Sequence, residues 1–142
     1  MLSKSAKYAT KAVLYLAVNS DKNHKVMVKD MSKPINVPQA YIAKLLQKLA
    51  KNNLISSTRG PKGGFYLNEK NRKETIMSII EVIDGENKLT NCLLGLDECN
   101  EAKPCLLHNL ASSAKSELIN NFRSNCIGDI AKKIKLSDEI LK

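Results

Sequence analysis

The stretch Val28-Lys29-Asp30-Met31-Ser32-Lys33-Pro34-Ile35-Asn36-Val37-Pro38-Gln39-Ala40-Tyr41-Ile42-Ala43-Lys44-Leu45-Leu46-Gln47-Lys48-Leu49 reads as two helices around a tight turn. Val28 and Met31 lie three residues apart and point inward on a short helix predicted to run to about Lys33, where Pro34-Ile35-Asn36 breaks the pattern. Asparagine tolerates a positive φ better than most residues, so Asn36 can close the turn. Pro38 sits where the next helix begins, because its fixed φ and missing N–H cost nothing in a first turn. From there Ile42, Leu45, Leu46 and Leu49 form one apolar stripe, while Gln39, Ala40, Tyr41, Lys44 and Lys48 fall on the opposite face. Two helices so joined, the second apolar on one side and basic-polar on the other, have the pattern of a helix-turn-helix.

Downstream, Leu54-Ile55-Ser56-Ser57 and Gly64-Phe65-Tyr66-Leu67 are predicted as short strands around Thr58-Arg59-Gly60-Pro61-Lys62-Gly63, a glycine-rich hairpin with a basic tip. A helix-turn-helix followed by such a hairpin is a winged helix. Its second helix enters the major groove, and its tip lies on the backbone or minor groove. Gln39, Ala40, Tyr41, Lys44 and Lys48, with Arg59 and Lys62 at the wing, are therefore the expected DNA contacts. Upstream, Ser3 or Ser5 can cap a first helix whose Ala9, Ala12, Val13, Leu16 and Ala17 recur at helical spacing. Further on, Thr75 can cap a helix with Ile76, Ile79, Ile80 and Ile83 inward, ending at Asp84-Gly85. The expected fold class is mainly α with a small β-hairpin.

With 142 residues the chain suits one domain with one core, which excludes a large multidomain enzyme. A hydrophobic content of 43% and a mean hydropathy of −0.27 fit a soluble globular protein, and no apolar run is long enough to span a bilayer. Lysines 4, 7 and 11 interleave with the run Ala12 to Val18 at helical spacing, and Asn19-Ser20-Asp21-Lys22 lacks a small-x-small cleavage site. The expectation is a cytoplasmic amphipathic helix. Net charge is +9, and its distribution is polar: residues 1–75 carry +11 and residues 76–142 carry −2. Such a split suits a protein with one face on a polyanion. Aromatic residues make up only 4% with no Trp, so a stacking platform for single strands is poorly supplied and duplex DNA is the better partner. No phosphate-binding glycine loop, paired carboxylates or Cys-x-x-Cys dithiol points to an enzyme.

All four cysteines lie in the second half, at Cys92, Cys99, Cys105 and Cys126. With no sign of export a reducing compartment is expected, and the clustering points to a metal or redox site. Cys105 and His108, at i and i+3 in a helical first turn, project to the same side, and the preceding loop can fold Cys92 and Cys99 back to them. Three thiolates and an imidazole suit an iron–sulfur cluster, a zinc ion or thiol-only redox chemistry; zinc sites more often carry shorter cysteine intervals. Cys126 reads as a small buried hydrophobe. After Pro104, Leu107, Leu110, Ala111, Ala114, Leu118 and Phe122 recur at helical steps. Together with the first helix they give more apolar face than one small domain readily buries, which implies a homodimer on a pseudo-palindromic site. The resulting division is a winged-helix domain over 1–84, a cysteine-rich loop over 85–108, and a dimerisation helix with a tail over 105–142.

Leu2-Ser3 through Lys7-Tyr8-Ala9, the wing from Ser56 to Leu67, and the Cys92, Cys99, Cys105 and His108 set together resemble the Rrf-type winged-helix regulators, from residue 2 to about residue 131. Within that family the likeness is nearest to the branch of iron–sulfur cluster regulators. A nitric-oxide-sensing branch often has an acidic ligand where this chain has Lys7. The resemblance implies a dimeric bacterial transcription regulator, expected to act as a repressor, with a recognition helix over about 38–51 and a wing around Arg59. It further implies a cluster, 2Fe-2S by preference over 4Fe-4S or zinc, held by Cys92, Cys99, Cys105 and His108, whose occupancy selects the promoters bound. The alternative is a zinc-stabilised or thiol-based DNA-binding module without cluster sensing.

Overall fold

Ser3 begins the first helix, α1 (Lys4–Asn19): its Oγ accepts the Ala6 amide at 3.0 Å and donates to the Asp84 carboxylate, tying this end of α1 to the end of a later helix. The computed structural model describes residues 2–91, 94, 102 and 106–134. Ala6, Ala9, Ala12, Val13, Leu16 and Ala17 are all buried on α1. Small side chains on most of that face let the neighbouring helices approach closely, so α1 becomes the centre of the packing.

Helices α2 (Val28–Ile35) and α3 (Gln39–Lys51) follow. The first is longer than its sequence pattern indicates, because Pro34 lies in the last turn. There its missing amide forfeits a single hydrogen bond, and Ile35 one residue later is fully buried. Asn36 then adopts φ 55°, ψ 53°, the left-handed turn expected of it. The Val37 amide reaches back to the Ser32 carbonyl at 3.0 Å, and Ser32 Oγ donates to the Val37 carbonyl at 2.6 Å. On α3 the buried residues are Ile42, Leu46 and Leu49, with Leu45 half-buried beside them.

Strands β1 (Ser56–Thr58) and β2 (Gly64–Tyr66) pair antiparallel, Ser56 with Tyr66, Ser57 with Phe65 and Thr58 with Gly64. Both are shorter than the apolar pattern suggests, and the first begins two residues later than expected. Leu54, Ile55 and Leu67 are buried just outside the ladder, anchoring the hairpin rather than pairing in it. A third segment, from the α1–α2 connection, joins this hairpin: Val26 and Phe65 exchange backbone hydrogen bonds at 2.9 and 2.8 Å. Gly64 makes that approach feasible, having φ +153° and a position where a Cβ would meet the Val26 carbonyl oxygen at 2.8 Å. Gly64→Ala is expected to lower unfolding stability by about 1–3 kcal/mol. Urea denaturation followed by circular dichroism measures this, and an unchanged midpoint would show that the Val26 strand yields freely.

Two further helices follow the wing. Helix α4 (Glu69–Arg72) opens with a reciprocal capping box between Asn68 and Asn71. Arg72 donates to the Ala17 carbonyl at 2.7 Å and the Ser20 carbonyl at 2.8 Å, satisfying acceptors at the end of α1. Helix α5 (Ile76–Asp84) is capped by Thr75, buries Ile76, Met77, Ile79 and Ile80, and stops at Gly85.

After Pro104 the periodicity points to one helix and a tail, but the chain forms two helices, α6 (His108–Ser124) and α7 (Ile127–Ile134). Side chains compete for the last carbonyls of α6, Ser124 Oγ bonding to Asn120 and Asn125 Nδ2 to Asn121, and Asn125 leaves the helix in an extended conformation. The Ile127 amide then donates to the Glu74 carbonyl at 2.8 Å, and α7 turns back onto α1, burying Ile127 and Ala131. No helix among the described residues is long and apolar enough to cross a membrane.

Candidate nucleic-acid interface

The second helix of the α2–turn–α3 unit presents Gln39, Ala40, Tyr41, Lys44 and Lys48 to solvent. All five exposed positions follow from the burial of Ile42, Leu46 and Leu49 on the other side. Pro38 precedes the helix and no acidic residue stands in its first turn, so the positive end of its dipole is left for an anionic partner. Lys48 and Lys51 stand in the last turn.

At the wing, Arg59 and Lys62 are exposed on the tip between the strands. The Gly63 amide closes the tip onto the Gly60 carbonyl at 2.9 Å, and a Cβ on Gly63 would meet the Thr58 carbonyl oxygen at 2.4 Å. Only glycine allows so narrow a loop. Among the described residues the ion pairs are His24–Asp21 and Arg123–Glu81, so Lys44, Lys48, Arg59 and Lys62 keep their charge uncompensated. This is the electrostatic condition for phosphate contact. In the loop before α2, the Asn23 amide and the His24 ring hold the Asp21 carboxyl below its usual range.

Several features of this surface do not show in the sequence pattern. Asn71, only 3% exposed, ties three segments together at the base of the wing. Its Oδ1 accepts from Ser56 Oγ at 2.7 Å and from the Asn68 amide at 3.0 Å, while its Nδ2 donates to the Asn53 carbonyl at 3.1 Å. Asn53 itself has φ 61°. The only local signal for this bracket is the Asn-x-x-Asn spacing of the α4 cap. Tyr41, 38% exposed, is engaged by α1: its ring meets Tyr8 edge-on at 5.4 Å and 89°, and its hydroxyl lies 2.5 Å from Ser5 Oγ.

Of the predicted cluster ligands, Cys92, Cys99 and Cys105 lie outside the described residues. His108 is half-buried and is the first residue of α6. Among the described residues no group of three His, Cys, Asp or Glu side chains gathers as a metal site. Cys126 is a half-buried free cysteine whose backbone bridges to Thr75. It follows the far end of α6, so it stands about 25 Å from His108 at 1.5 Å per helical residue. That separation excludes Cys126 from a coordination sphere containing His108 of the same chain.

The family model described as "Rrf2: Iron-dependent Transcriptional regulator" matches residues 2–133. A candidate HTH-type transcriptional regulator of Aquifex aeolicus is 33% identical over 132 residues, covering 92% of this chain and 90% of its own. The HTH-type transcriptional regulator IscR of Vibrio campbellii is 32% identical, over 84% and 72% of the two chains. Among solved structures, CymR, the global cysteine regulator of B. subtilis, superposes with a TM-score of 0.76 at 20% identity, covering 94% of this chain and 97% of that one.

Proposed function

Since this chain belongs to the Rrf2 family of transcription regulators, and is accordingly a DNA-binding protein and not an enzyme, we propose a specific division of labour within it. Residues 1–84 bind duplex operator DNA. Gln39, Ala40 and Tyr41 read base edges from the first turn of α3, Lys44 and Lys48 meet phosphates, and Arg59 and Lys62 hold the wing on the flanking groove. The observation that carries this reading is the joint exposure of the α3 face and the wing tip, with four cations free of ion pairs among the described residues.

Residues 85–108 hold an iron–sulfur cluster, 2Fe-2S by preference, through Cys92, Cys99, Cys105 and His108. The donor chemistry supports it: thiolates are the usual ligands of iron–sulfur iron, and an imidazole replacing one changes the charge and potential of the cluster. The iron-dependent description of the family model and the resemblance of the Cys/His set to cluster regulators support it as well. When bound, the cluster supplies a one-electron and coordination chemistry that responds to iron, oxidants or nitric oxide. Residues 105–142 form a homodimer through α6, and the protein acts in the cytoplasm as a repressor on a pseudo-palindromic site.

The salt dependence of DNA binding tests the interface. A 30-base-pair duplex enriched by the wild-type protein from a random-sequence library serves as probe. Arg59→Ala is expected to weaken binding and to reduce the slope of log K against log salt by about 0.9 for a lost phosphate contact. An unchanged affinity and slope would remove the wing from the interface.

A further inference from the structure

We propose that Ser5 and Tyr8 of α1 are positioning residues for sequence reading, holding the Tyr41 side chain in one conformation at the start of α3. The proposal rests on the reading of α3 as the recognition helix, and it adds to that helix a support from a different element.

The geometry constrains Tyr41 at both ends. Tyr41 is the third residue of α3, on the exposed face, where an unsupported phenol would exchange among rotamers. Here the Tyr8 ring lies perpendicular to it with centroids 5.4 Å apart, an edge-to-face arrangement that aromatic pairs prefer. Ser5 Oγ lies 2.5 Å from the Tyr41 hydroxyl. Ser5 and Tyr8 are three residues apart on α1 and so share the face turned to α3. Lys4 Nζ lies 5.7 Å from the centroid of the Tyr8 ring, at the outer edge of the same cluster.

The chemistry then separates holding from reading. A phenol has one donor and two acceptor sites, and the contact with Ser5 occupies only part of that capacity. The remainder is open to a further partner, since the Ser5–Tyr41 pair is exposed. A side chain ordered before binding does not lose its rotamer freedom at the DNA surface, and a fixed hydroxyl discriminates between base edges better than a mobile one. Ser5 and Tyr8 therefore affect how well the correct sequence is told from a wrong one, whereas the phosphate-facing lysines affect affinity for all sequences.

The experiment compares affinities for the enriched duplex and for its scrambled counterpart, together with the salt slope on each. Ser5→Ala introduces a good helix former and is expected to fold as the wild type does. Both Ser5→Ala and Tyr8→Leu are expected to lower the specificity ratio by about three- to tenfold with the salt slope unchanged, while Tyr8→Phe retains the ring and restores the wild-type ratio. In a Tyr41→Phe background, Ser5→Ala is expected to have no further effect, because the two residues act through one hydrogen bond. The proposal is overturned, and the recognition helix stands, if Tyr41→Ala lowers the ratio but Ser5→Ala and Tyr8→Leu leave it at the wild-type value. If Tyr41→Ala leaves the ratio unchanged, both the reading of α3 and the proposal fail.

Discussion

Cys99→Ala, reconstituted anaerobically with iron and sulfide, is expected to yield a colourless protein, and Cys92→Ala and Cys105→Ala to do the same. Each thiolate in the proposed set would supply a negatively charged ligand to iron, so a missing cysteine is expected to remove the cluster rather than weaken it. His108 behaves differently. In the proposed set it is the imidazole ligand, and it stands half-buried as the first residue of α6, its backbone set by the helix. His108→Ala is expected to assemble a cluster that is lost faster on exposure to chelator. His108→Cys is expected to keep the cluster with a shifted visible spectrum and a lower potential, since a fourth thiolate adds negative charge. Cys126→Ala leaves the spectrum unaltered, because that residue is separated from His108 by the length of α6. A full and stable spectrum in Cys99→Ala would contradict the ligand set.

The second large effect concerns assembly. Leu106, two residues before α6, and Leu110, in its first turn, are 91% and 79% exposed in a single chain. In the proposed dimer they are covered, and burial of a leucine contributes about 1.5–3 kcal/mol. A two-fold axis presents every substitution twice, so Leu110→Glu places two carboxylates in the interface and is expected to weaken dimerisation by at least about a hundredfold. Sedimentation at micromolar concentration should then give one wild-type species of twice the 15.7 kDa chain mass and a variant near the chain mass itself. Helix content should not change, because Leu110 is largely exposed on its own chain. Operator binding should fall with dimerisation, since two half-sites are engaged only by two recognition helices held together.

Local chemistry written in short windows was legible before the structure. Ser3, Thr75, Asn36 and Pro38 each perform the local task their residue type suits, and Ile42, Leu46 and Leu49 show the buried face of α3 directly. Gln39, Ala40, Tyr41, Lys44, Lys48, Arg59 and Lys62 all stand exposed, as expected of residues on the polar side of such elements. Long-range contacts were not legible. Val26 pairs with Phe65, Asn71 spans Asn53 and Ser56, and Arg72 grips the end of α1; none of these leaves a periodic trace. The break between α6 and α7 follows from Ser124 and Asn125 bonding to the preceding carbonyls, a local competition that apolar spacing does not register. The pinning of Tyr41 by Ser5 and Tyr8 belongs to the same class. For the cysteine segment, the legible part is the donor set and its spacing, because Cys92, Cys99 and Cys105 lie outside the described residues.

With a cluster held as proposed, its occupancy controls which DNA the protein binds. Two parallel selections from one random-sequence duplex library under anaerobic conditions, one with reconstituted protein and one with the same protein after chelation of its iron, test it most directly. The two forms are expected to enrich different sequences, or the metal-free form to enrich none. Identical enriched sequences bound with identical affinity by both forms would contradict it.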